Sequence, residues 1–327
     1  MADHAKERTY LSLIESCDNF PYDIVPSEVY YQLFLPDDDQ PHGYLLPETV
    51  QKMPWTPRFH VNHNSPGRSV TVLDSSNGTD PAGAVNLAFQ ELIDECIEQD
   101  LFHVIAGKHS EPFSIVSAKH PIHLERFASA LFGITGRGAY IIAYTSDHDD
   151  GSTTKKKKMK LWIPRRAAHL YTGPGKLDVT VAGGIKAGST PLETMVHEAD
   201  EEASLPEALV RERVRPAGAL TYINATSSAA DGFPGEKGLV VPLVIYTHDL
   251  ELPPDVIPTP NDDEVDEFYL MTVEEVQTAL LRGEFKADSA AALVDFLVRH
   301  GVLNAQNEKD LVEICMRLHR RLPFRLP

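Results

Sequence analysis

Two periodicities alternate along the chain. In "GAVNLAFQELIDECIEQD", Val85, Ala88, Phe89, Leu92, Ile93, Cys96 and Ile97 recur at helical spacing on one face. Helices are also predicted at "TVEEVQTALLRGE", "SAAALVDFLVRHG" and the amphipathic "EKDLVEICMRLHRRL" near the C-terminus. Other apolar runs are short and rich in β-branched and aromatic residues. "EVYYQLFL", "PFSIVSA", "GAYIIAYTSD", "KMKLWIPRRA", "RPAGALTYIN", "GLVVPLVIYTHDL" and "EVDEFYLM" read as strands. Polar turns such as "LDSSNGTDPAG" separate them, and "HDDGSTTKKKK" reads as a long hairpin loop with a solvated lysine run, Lys155 to Lys158. Strands and helices interleave, so the fold class is α/β (α+β). The texture changes near Ala128. We expect a smaller α/β unit over residues 1–126, a larger α/β domain over 127–300 and a helical extension over 301–327.

One segment has an unusual pattern. "AGGIKAGSTPLETMVHEADEEASL", Ala182 to Leu205, places a glycine-rich loop before a sharply punctuated helix. Thr190 suits the cap, Pro191 the first helical position, and Glu193 the reciprocal arm of a capping box. The helix should end near Ala203, before Pro206. Glu198, Glu201 and Glu202 fall at i, i+3 and i+4, on one face, with Leu192, Met195, Val196 and Ala199 largely opposite. Like charges at this spacing cost an isolated helix roughly 0.2–0.5 kcal/mol per pair. Carboxylates beside an open backbone loop suit a hard divalent cation shared with substrate phosphates.

Composition sharpens that reading. The 327 residues carry 48 Asp and Glu against 30 Lys and Arg, a net charge of −18, which opposes unaided binding to nucleic acid or an anionic membrane. With 42% hydrophobic residues the chain has ample core material. Cys17, Cys96 and Cys315 are scattered and match no zinc or redox spacing. His60 and His63 in "HVNHN" lack a third ligand nearby. The first residues resemble neither a signal nor a transit peptide, and no apolar stretch approaches a membrane span. The expectation is a soluble cytoplasmic protein.

The carboxylate segment resembles the Nudix box, whose pattern runs Gly, five residues, Glu, seven residues, Arg-Glu-apolar-any-Glu-Glu-any-Gly-apolar. Here the opening glycine is Gly183, the central glutamate Glu198, the apolar position Ala199, the paired glutamates Glu201 and Glu202, and the last apolar residue Leu205. Ser189, His197 and Ser204 replace the family's first Glu, its Arg and its late Gly. A Ser189–His197 hydrogen bond is expected to stand in for the lost ion pair. The flanks "KLWIPRR…GPGKLDVTVAGG" and "FKADSAAALVDFLVRHG" resemble the thiamin-pyrophosphokinase-related branch. "YYQLFLPDDDQPHGYLLPETVQKMPW" is similar to that branch's extra N-terminal domain.

The resemblance implies a Nudix α/β/α sandwich with a mixed sheet, and Mg²⁺- or Mn²⁺-dependent hydrolysis of an organic diphosphate. Thiamin diphosphate or its oxidised analogues are the implied substrates; another nucleoside or biosynthetic diphosphate, or a weak diphosphate-binding module, are the alternatives. By analogy Glu198, Glu201, Glu202 and the Gly183 carbonyl would ligate metal. The base would be a box glutamate, Glu201 or Glu202, or a later acid, Glu264 or Glu267 of "DDEVDEF". Arg165 and Arg166 suit a phosphate through their bidentate forks. Gly184, Tyr171 and Tyr222 complete the substrate-binding candidates, whereas Trp162 is expected in the core. The oligomeric state stays open, a homodimer included.

Overall fold

In this computed structural model the described residues are 8–105, 111–116, 118–146, 159–226 and 235–326. The predicted lysine-tipped loop, residues 147–158, lies outside them. Helix α1 (Tyr10–Cys17) and the single turn α2 (Pro26–Val29) come first. A small sheet follows, built from β1 (Tyr31–Phe34), β2 (Gly43–Leu45), β3 (Phe59–Asn62) and β4 (Ser69–Val72) in the order β2-β1-β4-β3, with helix α3 (Pro47–Lys52) between β2 and β3. Helix α4 (Pro81–Glu98) is capped by Asp80, whose carboxylate accepts the Gly83 N–H. Its predicted apolar stripe, Val85 to Cys96, packs into the small sheet's core, with Ile97 partly buried at the margin.

A short hairpin, β5 (Pro112–Ser114) and β6 (His123–Glu125), leads through a 3₁₀ turn into the large sheet. Its elements are β7 (Gly136–Ser146), β8 (Met159–Arg166), β9 (Val181–Gly184), helices α5 (Pro191–Ala203) and α6 (Glu207–Arg213), β10 (Arg215–Ala225), β11 (Val240–Glu251), β12 (Val265–Thr272), and helices α7 (Val273–Arg282), α8 (Ala287–Arg299) and α9 (Leu311–Leu318). The order is β10-β11-β7-β8-β12, with β9 pairing beside β8 on β7. β7 and β11 run parallel and the other pairs antiparallel, so the sheet is mixed.

Side-chain alternation gives the sheet two apolar faces. Ala139, Ile141, Ala143, Trp162 and Val181 meet Met195, Val196, Ala199 and Ala203 of α5. Tyr140, Ile142, Leu161, Ile163, Leu220 and Tyr222 meet α7 and α8. The result is the expected three-layer α/β/α sandwich, with Trp162 in its core.

The cores do not divide at 126 and 300. Leu13, Ile14 and Cys17 of α1, and Ile314 and Leu318 of α9, belong to the core under α8. Leu131, Phe132, Ile134 and Leu239 belong to the small sheet's core. The two ends are tied together as well. Arg320 donates to Asp18 Oδ1 at 2.9 Å and to the carbonyls of Phe20 and Pro21 at 2.6 and 3.0 Å. The three cysteines are unpaired, and burial pushes the Cys96 thiol up to about 12, which keeps it inert.

Candidate active site

Helix α5 begins as its sequence dictates. Thr190 accepts the Glu193 N–H at 3.2 Å and Pro191 occupies the first turn. The reciprocal arm of the capping box does not form, because both Glu193 oxygens bind Arg211 of α6 at 3.0 and 2.7 Å. Leu192 is exposed rather than packed on the sheet. At the other end Ser204 takes the left-handed conformation, φ 52°, that a glycine adopts without steric cost.

The three glutamates do not share one environment. Glu202 is 6% exposed and lies on the sheet side of α5, where its carboxylate accepts the Ala182 N–H of β9 at 2.9 Å. Glu198 lies half-buried one turn earlier, directly against Gly183. A Cβ at Gly183 would sit 2.6 Å from the Glu198 carboxyl carbon, so only glycine permits this approach. Glu201 points outward, 3.0 Å from His197 Nδ1. His197 therefore pairs within the helix, and the expected Ser189–His197 hydrogen bond is absent. Ser189 Oγ instead faces Thr194 Oγ1 at 3.3 Å.

Burial, then the charges of Glu201, Glu111 and Glu264, pushes the Glu198 carboxyl up to about 7. Burial and the neighbouring Glu198 push Glu202 well above the carboxylate range, against the Ala182 hydrogen bond. Two adjacent carboxyls, one buried and one half-buried, call for protons or a cation. Their all-oxygen donor set fits Mg²⁺ or Mn²⁺. Among the described residues, no group of three or more His, Cys, Asp or Glu is arranged to hold a metal ion. Mg²⁺ needs no such group, because one or two carboxylates plus substrate phosphates commonly hold it.

The proton form has a measurable signature. Below about pH 4.5 Glu198 is protonated both folded and unfolded, and the folded state's preference for that proton stabilises it fully. As pH rises towards about 7 the unfolded chain has already released the proton and the stabilisation is lost. In EDTA, the melting temperature of the wild type should fall more steeply between pH 5 and 8 than that of Glu198→Gln. Mg²⁺ should restore it most at the alkaline end. Identical slopes would refute the shared buried charge.

The other predicted residues separate by face. Successive strand residues point to opposite sides. Arg166 lies on the α5 side of β8, buried, donating to Asp178 Oδ2 at 2.9 Å and to the Thr172 carbonyl at 3.1 Å. It is committed there, within electrostatic reach of Glu202 and Glu264, rather than free to fork a phosphate. Arg165 lies on the α7 side, bonded to Tyr269 Oη at 3.1 Å and the Gly175 carbonyl at 3.0 Å. Glu267 accepts the same Tyr269 hydroxyl, so it too lies across the sheet from Glu198 and is not placed to act as base. A bulge between Val265 and Glu267 sets that orientation. Tyr222 is 3% exposed in the core under α8 and walls no substrate pocket. Glu264 remains beside the pair. The segment before it is tied to the end of α5 through Asn261 and Thr259, and its charge is felt at both Glu198 and Glu202.

The N-terminal half contributes residues that the sequence did not point to. The Ala187 N–H donates to the Pro112 carbonyl at 2.7 Å, docking β5 on the glycine loop. Phe113 covers Gly184, where a Cβ would meet its ring at 2.6 Å and the Arg126 guanidinium at 3.4 Å. Arg126 pairs with Glu111 at 3.3 Å, and both charges are felt at Glu198. Tyr171 stacks edge-on with Phe127, ring centroids 5.8 Å apart.

A NUDIX domain profile matches residues 152–293, the span that contains Gly183, the carboxylate helix and Glu264. The chain carries a Nudix domain. The chain is 35% identical over 222 residues to Uncharacterized protein YJR142W of Saccharomyces cerevisiae, covering 67% of this chain and 63% of that protein. It is 33% identical over 185 residues to Nudix hydrolase 24, chloroplastic, of Arabidopsis thaliana, covering 56% of this chain and 46% of that one. The matches thus span less than two thirds of either relative's length. Among solved structures, the NUDIX domain of Shewanella oneidensis NrtR complexed with ADP ribose shares 14% identity at a TM-score of 0.35, covering 51% of this chain and 90% of that one. Within the Nudix domain, Glu198 and Glu202 are the residues that strand β9 and helix α5 bring together.

Proposed function

We propose that the protein is a metal-dependent hydrolase of a small organic diphosphate, releasing a monophosphate. The observation that carries this reading is the pair of half-buried Glu198 and buried Glu202, packed on Gly183 and Ala182. Glu198 and Glu202 would hold Mg²⁺ or Mn²⁺, with the Gly183 carbonyl as a further oxygen donor. Such an ion, when bound, neutralises phosphate charge and lowers the pKa of water. Water attacks phosphorus, a new P–O bond forms and the bridging P–O bond breaks. Glu264 accepts the proton of that water, with Glu201 at the rim as the second candidate. Arg166, fixed by Asp178, keeps positive charge beneath the site without touching substrate.

Thiamin diphosphate or an oxidised analogue is the favoured substrate, supported by the similarity of both flanks to the thiamin-pyrophosphokinase-related branch. Another nucleoside or biosynthetic diphosphate is the second reading. Ser189 and His197, which do not replace the family's ion pair, favour a third, a weak diphosphate-binding module. A panel of thiamin diphosphate, its oxidised analogues, ADP-ribose, a dinucleotide and a prenyl diphosphate, with Mg²⁺ or Mn²⁺ and products read by mass, decides among them. Fastest release of a thiamin-type monophosphate supports the first reading. Preference for another member keeps the chemistry and discards the substrate. No turnover, with retained metal-dependent binding, leaves the binding module.

A further inference from the structure

The β5–β6 hairpin meets the glycine loop along a seam. Four features converge there. Phe113 and Arg126 cover Gly184, so the hairpin touches the backbone next to Gly183. The Arg126 guanidinium lies over the faces of Phe113 and Phe127, at 5.4 and 5.7 Å from their centroids. Phe127 meets Tyr171 edge-on, and Tyr171 is anchored by its hydroxyl to the His103 carbonyl at 3.3 Å. Glu111 binds Arg126 at 3.3 Å, and the Arg126 side chain is still 44% exposed. A cation supported by two aromatic faces thus stands beside Glu198, on residues outside the Nudix span 152–293 except for Tyr171.

From this juxtaposition we infer that Phe113, Arg126 and Phe127, together with Tyr171, complete the active site. Arg126 contacts the substrate's diphosphate, and Phe113, Phe127 and Tyr171 receive a ring-bearing leaving group. The inference rests on the hydrolase reading and adds the residues that would recognise the diphosphate and the ring joined to it. Charge favours this arrangement. With Glu198, Glu202, Glu201, Glu264 and Glu111 close together, a diphosphate approaching this acidic chain needs a fixed cation besides the metal. Arg166 is spent on Asp178, whereas Arg126 is half exposed and its partner Glu111 is a surface carboxylate. Guanidinium suits the task, since its planar fork binds phosphate oxygens bidentately while its face rests on aromatic rings. Arg126 exchanges one acceptor for another when substrate arrives.

The test compares steady-state kinetics of wild type, Arg126→Ala, Arg126→Lys and Tyr171→Leu with Mg²⁺. The substrates are thiamin diphosphate, ADP-ribose and dimethylallyl diphosphate, the last lacking a ring. Arg126→Ala should raise KM by roughly ten- to hundredfold on all three, the value of a charge-assisted hydrogen bond, while kcat changes far less. Arg126→Lys should recover part of that loss. Tyr171→Leu should weaken the two ring-bearing substrates by about three- to tenfold and spare the prenyl one. KM within twofold of wild type in Arg126→Ala, on substrates that wild type hydrolyses, would overturn the inference and leave the hydrolase reading standing. A wild type that hydrolyses none of them would overturn both. Melting temperatures of all variants, taken in EDTA, show whether a loss reflects unfolding.

Discussion

Glu202→Gln is expected to lower turnover by roughly a thousandfold, the several kcal/mol that a carboxylate-held metal contributes to phosphoryl transfer. The fold should survive. Glutamine is isosteric, and its side-chain carbonyl can still accept the Ala182 N–H that ties α5 to β9. One buried carboxyl then remains where two lay side by side, so the metal-free protein should melt no lower than wild type at pH 8. The Mg²⁺-induced rise in melting temperature should shrink in the same variant, because ligand stabilisation follows affinity. Activity and thermal shift therefore move together while basal stability does not. Full activity in Glu202→Gln would remove the pair from the mechanism. Loss of activity with an unchanged Mg²⁺ shift would move the metal elsewhere and leave Glu202 with another task.

Asp178→Ala carries the largest expected cost in stability, about 3–5 kcal/mol, because it strands a buried guanidinium. Asp178 is 2% exposed and Arg166 8%, and their oxygen and nitrogen are 2.9 Å apart. The Ser289 hydroxyl also donates to Asp178. Nearby, Lys286 and Asp288 form a second, partly buried pair at 2.8 Å, and Tyr140 donates to Asp288 at 2.7 Å. Each pair compensates charges that could not be buried alone. Asp178→Asn, which keeps an acceptor for Ser289, should cost less than Asp178→Ala. Chemical-denaturation midpoints of the two variants measure the difference. A loss below about 1 kcal/mol for Asp178→Ala would place the pair among exposed, weakly coupled ones. The prediction bears on the site too, since Asp178 holds the cation that lies beneath Glu202.

Local rules made α5 legible. Thr190 and Pro191 act at one end and Pro206 at the other, each within a few residues of the terminus it sets, so both ends of the helix could be read locally. The apolar stripe of α4 was equally readable. The rim position of Glu201 was less so. Its spacing allowed the same face as Glu198, but Glu202 turned toward the sheet and Glu201 toward His197. Arg165 and Arg166 are both phosphate candidates by sequence, but neighbours on one strand face opposite ways, and only Arg166 shares a face with α5. Glu267 was misplaced for a different reason, because the bulge after Val265 breaks the alternation and nothing in "DDEVDEF" announces it. The β3–β4 hairpin was hidden by its polar His60 and Asn62. Phe113 and Arg126, with Glu111 paired to Arg126, were beyond reach, since the approach of the first two to Gly184 depends on how a distant hairpin docks.

The Arg320–Asp18 clasp also limits how this molecule can be cut. A fragment trimmed to residues 127–300 would keep every box residue yet strip α1 and α9 from α8. Leu293, Phe296 and Leu297 would then lose Leu13, Ile14, Ile314 and Leu318 as core companions. Such a piece would display a greasy flank where the whole chain has a sealed one, and it should clump in solution rather than work as a minimal enzyme. Tags are better placed beyond both ends of the full chain than at the borders of the matched domain.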